Sequence, residues 1–186
     1  MNRHNWDTYI GRQKPEYRIA SLPIDFEADM VVVIPCYNEP DLFTTLHSLL
    51  TAIQPEGKIA VVVVFNSGER STEEGIRQNR ISFTQAKEFA AINNTHERHF
   101  LPLLFEGLPR KHAGVGLARK IGMDLAVEHF FLHDKAGGVI ISLDADCTVS
   151  ANFFTVISAA FTANDRLNAT VHHFHHRVEE NNPILE

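Results

Sequence analysis

Cysteine is scarce in this chain, which has 2 among 186 residues. Cys36 and Cys147 are too few for a disulfide framework, and neither belongs to a Cys-x-x-Cys pair of the kind that binds zinc. The chain also lacks a run of about 20 apolar residues, the length that a membrane-spanning helix needs, and its polar beginning does not resemble a signal peptide. These absences predict reduced thiols and favour a cytoplasmic protein.

Basic residues are fewer than acidic ones. Lys and Arg number 17 against 23 Asp and Glu, which gives a formal net charge of −6. Binding to nucleic acid requires a clustered basic surface, and the sequence offers no such cluster, so a nucleic-acid partner is not expected. With 44% hydrophobic and 22% charged residues, the composition is that of an ordinary globular protein, and the length suits one domain with a sizeable core.

Two kinds of apolar segment alternate along most of the chain. Residues 1–29 show no periodicity and are predicted to form an irregular arm. After them, β-branched runs begin at Met30, Ile59, Phe100 and Val139, and a weaker strand is predicted near 169–174. Helical patterns separate these runs, at 42–53, 71–93, 116–133 and 152–164. Because continuous apolar runs indicate strands that are buried on both faces, residues 30–186 are predicted to form an α/β domain, a mostly parallel open sheet with helices on both faces.

The most informative residues are two aspartates, Asp144 and Asp146, which follow the run that begins at Val139. Residues i and i+2 of an extended strand project to the same side. Two carboxylates about 6 Å apart repel by about 3 kcal/mol at an effective dielectric near 20, and a divalent cation would reverse that energy. Mg²⁺ and Mn²⁺ commonly share carboxylate ligands with substrate phosphates, so the pair points to a nucleotide diphosphate. The alternative is an aspartate that caps the helix near Asn152 beside a turn aspartate.

Polar side chains follow the first two strands as well. Tyr37 offers a ring on which a base can stack, and Glu39 offers a carboxylate that can accept hydrogen bonds from ribose hydroxyls. The alternative is that Asn38 caps the next helix and Tyr37 only packs. Asn66 has an amide suited to a base edge, or it belongs to a plain turn. Since the loops that follow parallel strands share one edge of a sheet, these residues and the aspartates are predicted to form one site.

A glycine-rich basic segment runs from Arg110 to Gly122. Its glycines permit a tight turn ahead of a helix, and Lys111 and Arg119 can neutralise phosphate oxygens near the helix N-terminus. The segment does not follow the first strand, where a dinucleotide-binding fingerprint is expected. A basic, solvated helix start is the alternative interpretation.

In their order and spacing these segments resemble the family 2 glycosyltransferases of the GT-A fold. The correspondence covers roughly residues 30–165 and runs through I-P-C-Y-N-E at 34–39, V-V-V-V-F-N-S-G at 61–68, G-V-G-L-A-R-K-I-G at 114–122 and L-D-A-D at 143–146. The resemblance implies a Rossmann-like domain that binds a nucleotide-diphosphate sugar, linked to UDP or GDP. It also implies transfer of the sugar to an acceptor with inversion, with Mn²⁺ or Mg²⁺ acting as a Lewis acid on the leaving phosphate.

The same resemblance implies a role for each segment. It implies that the nucleotide sugar is bound by Pro35, Tyr37, Glu39, Asn66, Lys111, Arg119, Asp144 and Asp146. It also implies that Asp144 and Asp146 bind the metal. Two departures stand out. The family usually carries aspartates where this chain has Phe65 and Asn66, and it places its general base and acceptor site after a further strand and helix beyond the aspartate pair. The chain is therefore expected to lack the acceptor-binding segment, and no catalytic base is identified.

Other functions stay open on the sequence alone. A non-catalytic nucleotide-binding or assembly module fits the missing acceptor segment. A sugar-phosphate nucleotidyltransferase would need a Gly- and Arg-rich loop after the first strand, which the segment 36–41 does not supply. The acceptor, the sugar and the oligomeric state are not specified. The tract from His172 to His176 either chelates a metal through an i, i+2 pair or is an exposed edge strand.

Overall fold

The computed structural model describes residues 3–12, 25–109, 113–164 and 166–173. Helices and strands alternate from residue 30 onward, as the apolar pattern predicts. The elements are α1 (Arg3–Gly11), β1 (Met30–Cys36), α2 (Leu42–Thr51), β2 (Ile59–Gly68), α3 (Glu73–Asn93), β3 (Arg98–Leu108), α4 (Val115–Leu132), β4 (Val139–Ser142) and α5 (Phe153–Ala163).

The four strands form one parallel sheet in the order β3-β2-β1-β4. Met30 is paired with Ile59 of β2 on one side and with Val139 of β4 on the other, so β1 lies in the interior of the sheet. The chain moves outward from β1 to β3 and then returns through α4 to lie beside β1. The direction of strand addition therefore reverses between β1 and β4. Open α/β sheets bind ligands in the crevice outside the carboxyl ends of such a strand pair.

Helices cover both faces of the sheet, which confirms the predicted fold class. Alternate side chains of β1 enter two separate cores. Met30, Val32 and Ile34 pack with α2, α3 and α5, whereas Val31 and Val33 pack with α4 on the opposite face. Every residue of β1 and β2 is buried, and this two-sided burial explains why the sequence shows continuous apolar runs instead of alternation.

Helix α4 lies unusually close to β1. A Cβ atom placed on Gly122 would collide with the side chain of Val33, so glycine permits the helix to rest directly on the strand. Ala118 and Ala126 on the same helix are fully buried in that contact layer. This close packing brings the first turn of α4 to the edge of the sheet at which β1 ends.

Two sequence predictions need correction. Residues 3–11 of the predicted irregular arm form helix α1, which carries no proline and no glycine before Gly11. The hydroxyl of Tyr9 donates to the carboxylate of Asp124 on α4, so a tertiary contact stabilises a helix that has little apolar periodicity. The strand predicted near 169–174 is wrong for its described part: residues 169–173 are exposed and form no strand within the described residues. Residue 174 lies outside the described residues.

Within the part of the chain that the structure describes, no helix is both long enough and apolar enough to cross a membrane.

Candidate functional site

A cleft of about 390 Å³ lies at the carboxyl edge of the sheet, between the ends of β1, β2 and β4 and the start of α4. This volume falls in the range of small-molecule binding sites. The residues that line it are Pro35, Cys36, Tyr37, Glu39, Asn66, Val115, Arg119, Asp144, Ala145 and Asp146. Seven of the eight predicted site residues are therefore brought together, and the eighth, Lys111, lies outside the described residues.

The cleft has two walls that are used below by name. The Tyr37 wall consists of four lining residues near the ends of β1 and β2 and in the loop after β1: Pro35, Tyr37, Glu39 and Asn66. The aspartate wall consists of the residues that follow β4: Asp144, Ala145 and Asp146. Arg119 and Val115 project from the first turns of α4 into the space between the two walls.

Charge is already partly balanced in the aspartate wall. The Nη2 atom of Arg119 donates to Oδ1 of Asp144 at 2.5 Å, and the two side chains are 33% and 59% exposed. Nε of Arg119 is buried and has no hydrogen-bond partner among the described residues, which leaves one donor of the guanidinium unsatisfied there. Arg119 thus neutralises one of the two neighbouring carboxylates, while its Nε–H has no acceptor in the part of the chain that the structure describes.

The backbone of the aspartate wall is held by two neighbours. The hydroxyl of Thr45 on α2 donates to the carbonyl of Ala145 at 2.7 Å, and the backbone N–H of Leu143 donates to the carbonyl of Val33 at 3.1 Å. Thr45 is fully buried, so this bond is shielded from water. Of the alternative interpretation, the helix cap is wrong, because α5 begins at Phe153 with Asn152 at its N-cap. The turn is confirmed: the backbone N–H of Cys147 donates to the carbonyl of Asp144 at 3.2 Å, so the two aspartates lie in a turn after β4, which ends at Ser142, and not in an extended strand.

The Tyr37 wall is tied together by hydrogen bonds to residues outside the cleft. Asn66 is buried, and its amide Nδ2 donates to the carbonyl of Gly114 at 3.2 Å, which links the end of β2 to the start of α4. Oε1 of Glu39 accepts a bond from the backbone N–H of Asp41 at 2.9 Å, beside the start of α2. Both side chains are thus already engaged, and their predicted contacts with a nucleoside stay predictions.

The pKa of each thiol near the cleft is raised, which favours its protonated and less nucleophilic form. Burial raises the pKa of Cys36 to about 12, and the charge of Glu39 acts in the same direction. The pKa of Cys147 is raised by partial burial, by the charge of Asp146 and by a hydrogen bond to that carboxylate. Both cysteines are free, although Cys36 ends β1 and Cys147 follows the neighbouring strand β4. Cys36 is buried and packs in the core, whereas Cys147 is exposed.

The oxygen donors of the aspartate wall fit a hard divalent cation that is shared with a ligand. Within the described residues, no group of three or more His, Cys, Asp or Glu side chains is arranged to hold a metal ion. Mg²⁺ and Mn²⁺ sites often use only one or two carboxylates, with phosphate oxygens and water supplying the rest. Asp144 and Asp146 suit that arrangement, whereas an all-protein metal cage does not fit the described residues.

The sequence interpretation missed two polar residues that shape the site. Thr45 lies three residues after Leu42 and four before Leu49, so it sits on the apolar face of α2, and a polar residue on that face was the available signal. Asn79 on α3 is 1% exposed and contacts the loop after β1 and the end of β2. It gave no comparable signal, because α3 has no strong apolar stripe.

Fold and site together define an α/β protein with a polar cleft at the point where the strand order of a parallel sheet reverses. Neither a protein-family model nor a curated protein matches the chain. Two solved structures of S. aureus TarS, residues 1–349, one of them in complex with UDP, are similar to it. Their TM-scores are 0.48 and 0.47, at 19% and 18% sequence identity. Each match covers 72% of this chain and 32% of the TarS chain, so this chain spans about a third of the length of those structures.

Proposed function

We propose that this chain is the donor-binding part of a glycosyltransferase, which binds a nucleotide-diphosphate sugar in the cleft for inverting transfer of the sugar to an acceptor. One observation supports this most strongly. Residues from four segments that are far apart in sequence, 34–39, 61–68, 114–122 and 143–146, line a single cleft. These are the same four segments through which the sequence resembles family 2 glycosyltransferases of the GT-A fold.

In this proposal the Tyr37 wall holds the nucleoside. The ring of Tyr37 is 42% exposed, which leaves apolar area on which a base can stack. Stacking of a base on an aromatic side chain is worth about 1–3 kcal/mol. Glu39 accepts hydrogen bonds from ribose hydroxyls, and Asn66 faces the base edge. Pro35, the next-to-last residue of β1, lines the cleft and limits how deeply the nucleoside enters.

The diphosphate lies between the aspartate wall and α4. The unsatisfied Nε of Arg119 and the N-terminal turn of α4 both favour an anion there. A diphosphate competes with Asp144 for the guanidinium and so releases that carboxylate. Mn²⁺ or Mg²⁺, held by Asp146 and Asp144, would supply Lewis-acid stabilisation of the leaving diphosphate when bound. Arg119 adds positive charge at the same oxygens, and Lys111 is proposed to do so as well.

A second candidate is a nucleotide-binding module without catalysis of its own. Of the three carboxylates that line the cleft, Glu39 accepts a bond from the Asp41 N–H and Asp144 is paired with Arg119. No histidine is among the lining residues in the part of the chain that the structure describes. A general base must reach the acceptor hydroxyl in its unprotonated form. Because two of the three carboxylates are already bound to other groups, these contacts favour a base supplied from outside the cleft, or no base at all.

Titration calorimetry with UDP and with GDP, each with and without Mn²⁺, tests the proposal. We expect metal-dependent binding of one nucleotide, and a loss of about tenfold or more, which is about 1.4 kcal/mol, in Asp146→Ala. Arg119→Gln should weaken the binding of the diphosphate and leave the binding of the plain nucleoside unchanged, because Arg119 acts on the phosphates.

Glu88→Ala is the matched control, since it removes one exposed carboxylate on α3 outside the cleft. Unchanged nucleotide and metal binding in Asp146→Ala would contradict the donor-site assignment. Incubation with UDP- and GDP-sugars separates the two candidates. Release of the free nucleotide, dependent on the cleft aspartates, supports a transferase, whereas tight binding without turnover supports the module.

A further inference from the structure

One face of helix α3 points toward the Tyr37 wall. Gly75 and Asn79 are separated by four residues, so they lie one above the other on the helix surface. Both are buried, and neither lines the cleft. Their partners are nevertheless cleft residues or direct neighbours of cleft residues, which distinguishes this face from the rest of α3.

The ring of Tyr37 lies directly against Gly75. A Cβ atom built on Gly75 would be 2.9 Å from Cζ of Tyr37 and closer still to its hydroxyl oxygen. Any side chain at position 75 would therefore push the ring away. The backbone of Gly75 is itself fixed, because its N–H donates to the hydroxyl of Thr72, the N-cap of α3, at 3.1 Å. Gly75 thus provides the surface on which the aromatic ring of the cleft rests.

Asn79 holds the backbone that carries Tyr37. Its Oδ1 accepts a bond from the N–H of Asn38 at 2.8 Å, and its Nδ2 donates to the carbonyl of Asn66 at 2.9 Å. Asn38 follows Tyr37 directly and has a φ of 50°, in the left-handed region that asparagine tolerates better than most residues. The amide of Asn79 therefore fixes the turn at which the chain leaves β1 and joins it to the end of β2.

We propose that Gly75 and Asn79 are positioning residues, which set the place of the Tyr37 ring in the cleft and through it the affinity for the nucleoside. The link to affinity rests on the proposed function, in which Tyr37 stacks on the base. Neither residue contacts the ligand. The proposal adds a third element, the face of α3, to the strand ends and α4 that already define the site.

Gly75→Ala is the decisive variant. Alanine has a higher helix propensity than glycine. The nearest atoms in its way belong to the end of the Tyr37 side chain, and the next, Oγ1 of the capping Thr72, would lie 3.1 Å from the new Cβ, so the variant should fold about as stably as the parent. The Tyr37 ring should move, and UDP affinity should fall by about five- to tenfold. Affinity then falls without a loss of stability, which a merely structural role of Gly75 would not produce. In a Tyr37→Ala background, Gly75→Ala should have no further effect on affinity.

A measurement without ligand follows the ring itself. The chain has 3 tyrosines, so fluorotyrosine labelling gives a simple ¹⁹F NMR spectrum in which Tyr37→Phe identifies one resonance. We expect Gly75→Ala to shift that resonance. Gly137→Ala is the matched control, because a Cβ at Gly137 has no neighbour within 4 Å. It should leave the resonance in place.

Asn79→Asp provides a second, nearly isosteric arm. The carboxylate can still accept the bond from the Asn38 N–H, but it loses the donor to the Asn66 carbonyl, so the Tyr37 resonance should shift and UDP affinity should fall. Asn93→Asp is the control on the same helix, since Nδ2 of Asn93 donates to the carbonyl of Phe89 away from the cleft. It should change neither readout.

The outcomes separate the two proposals. A Tyr37 resonance that does not move in Gly75→Ala overturns the positioning role, whatever the nucleotide does. Equal UDP binding by the parent and by Tyr37→Ala, with a resonance that does move, removes the stacking role from the proposed function and leaves the positioning of the ring established.

Discussion

The two walls of the cleft differ in what holds them. The Tyr37 wall follows β1 and β2, in which every residue is buried. The aspartate wall follows β4, a strand of four residues in which only Ile141 is buried. The first wall is therefore fixed by the core of the sheet, and the second mainly by hydrogen bonds from its loop to α2 and β1.

The side chains differ in the same way. Asn66 and Asn79 are buried and hydrogen-bonded, and such bonds are expensive to break. The Arg119–Asp144 pair is partly exposed, and exposed ion pairs contribute little to stability. The comparison teaches that buried packing and buried hydrogen bonds fix the Tyr37 wall, whereas the ion pair of the aspartate wall is weak enough to exchange partners. The proposed diphosphate site requires such an exchange.

The largest effect should come from matched substitutions in the two regions. Ile59→Ala in β2 removes a fully buried side chain, whereas Ile140→Ala in β4 removes a partly buried one. We expect losses in the free energy of unfolding of about 3–4 and about 1–2 kcal/mol respectively, measured by urea denaturation. Equal losses would mean that β4 is as firmly packed as the interior strands, which would contradict the difference between the two walls.

Low pH should destabilise the fold around β1 through protonation of His129. This histidine on α4 is buried, and its Nε2 accepts the backbone N–H of Ala28, just before β1, at 2.9 Å. Burial lowers its pKa to about 4, helped by His133 and Lys135 and opposed by Glu27 and Asp29. The folded state therefore favours the neutral form of His129. Its stabilisation is complete above the ordinary pKa of about 6.5 and is lost as the pH falls from there toward 4, by about 3 kcal/mol in all.

Urea denaturation across that pH range checks the prediction. In His129→Gln the slope of stability against pH should become flatter, because the amide oxygen can accept the Ala28 N–H without titrating. The exposed His47→Gln is the control and should keep the slope of the parent. A parental slope in His129→Gln would assign the acid sensitivity to other groups, such as His99, whose pKa burial also lowers.

The strands were predictable where burial is two-sided. Continuous β-branched runs identify β1 and β2 from their first residues, since little else buries both faces. The start of β3 was placed at Phe100, whereas the strand begins at Arg98. Arg98 is buried because its guanidinium donates to the carbonyls of Leu49, Leu50 and Ala52 at the end of α2. The sequence neighbours of a charged residue such as Arg98 do not reveal its distant partners, so the local pattern predicts a turn.

The convergence of the site was predictable, but its internal contacts were not. Parallel strands end at one edge of a sheet, so polar residues after several strands were expected to meet. The bond from Asn66 to Gly114 joins residues 48 positions apart, and the pair of Arg119 and Asp144 joins residues 25 positions apart. No local pattern encodes these distances. Gly75 was missed because glycine in a helix lowers propensity and gives no apolar signal, while its role depends entirely on the ring beside it.

The central claim is that both walls bind one nucleoside diphosphate, and a crystal structure of the chain grown with Mn²⁺ and whichever of UDP or GDP binds more tightly tests it most directly. The account predicts the base against the ring of Tyr37 and the diphosphate between Arg119 and the two aspartates, with the Arg119–Asp144 pair broken. A nucleotide bound elsewhere on the molecule, or one whose diphosphate points away from Asp144 and Asp146, would contradict it.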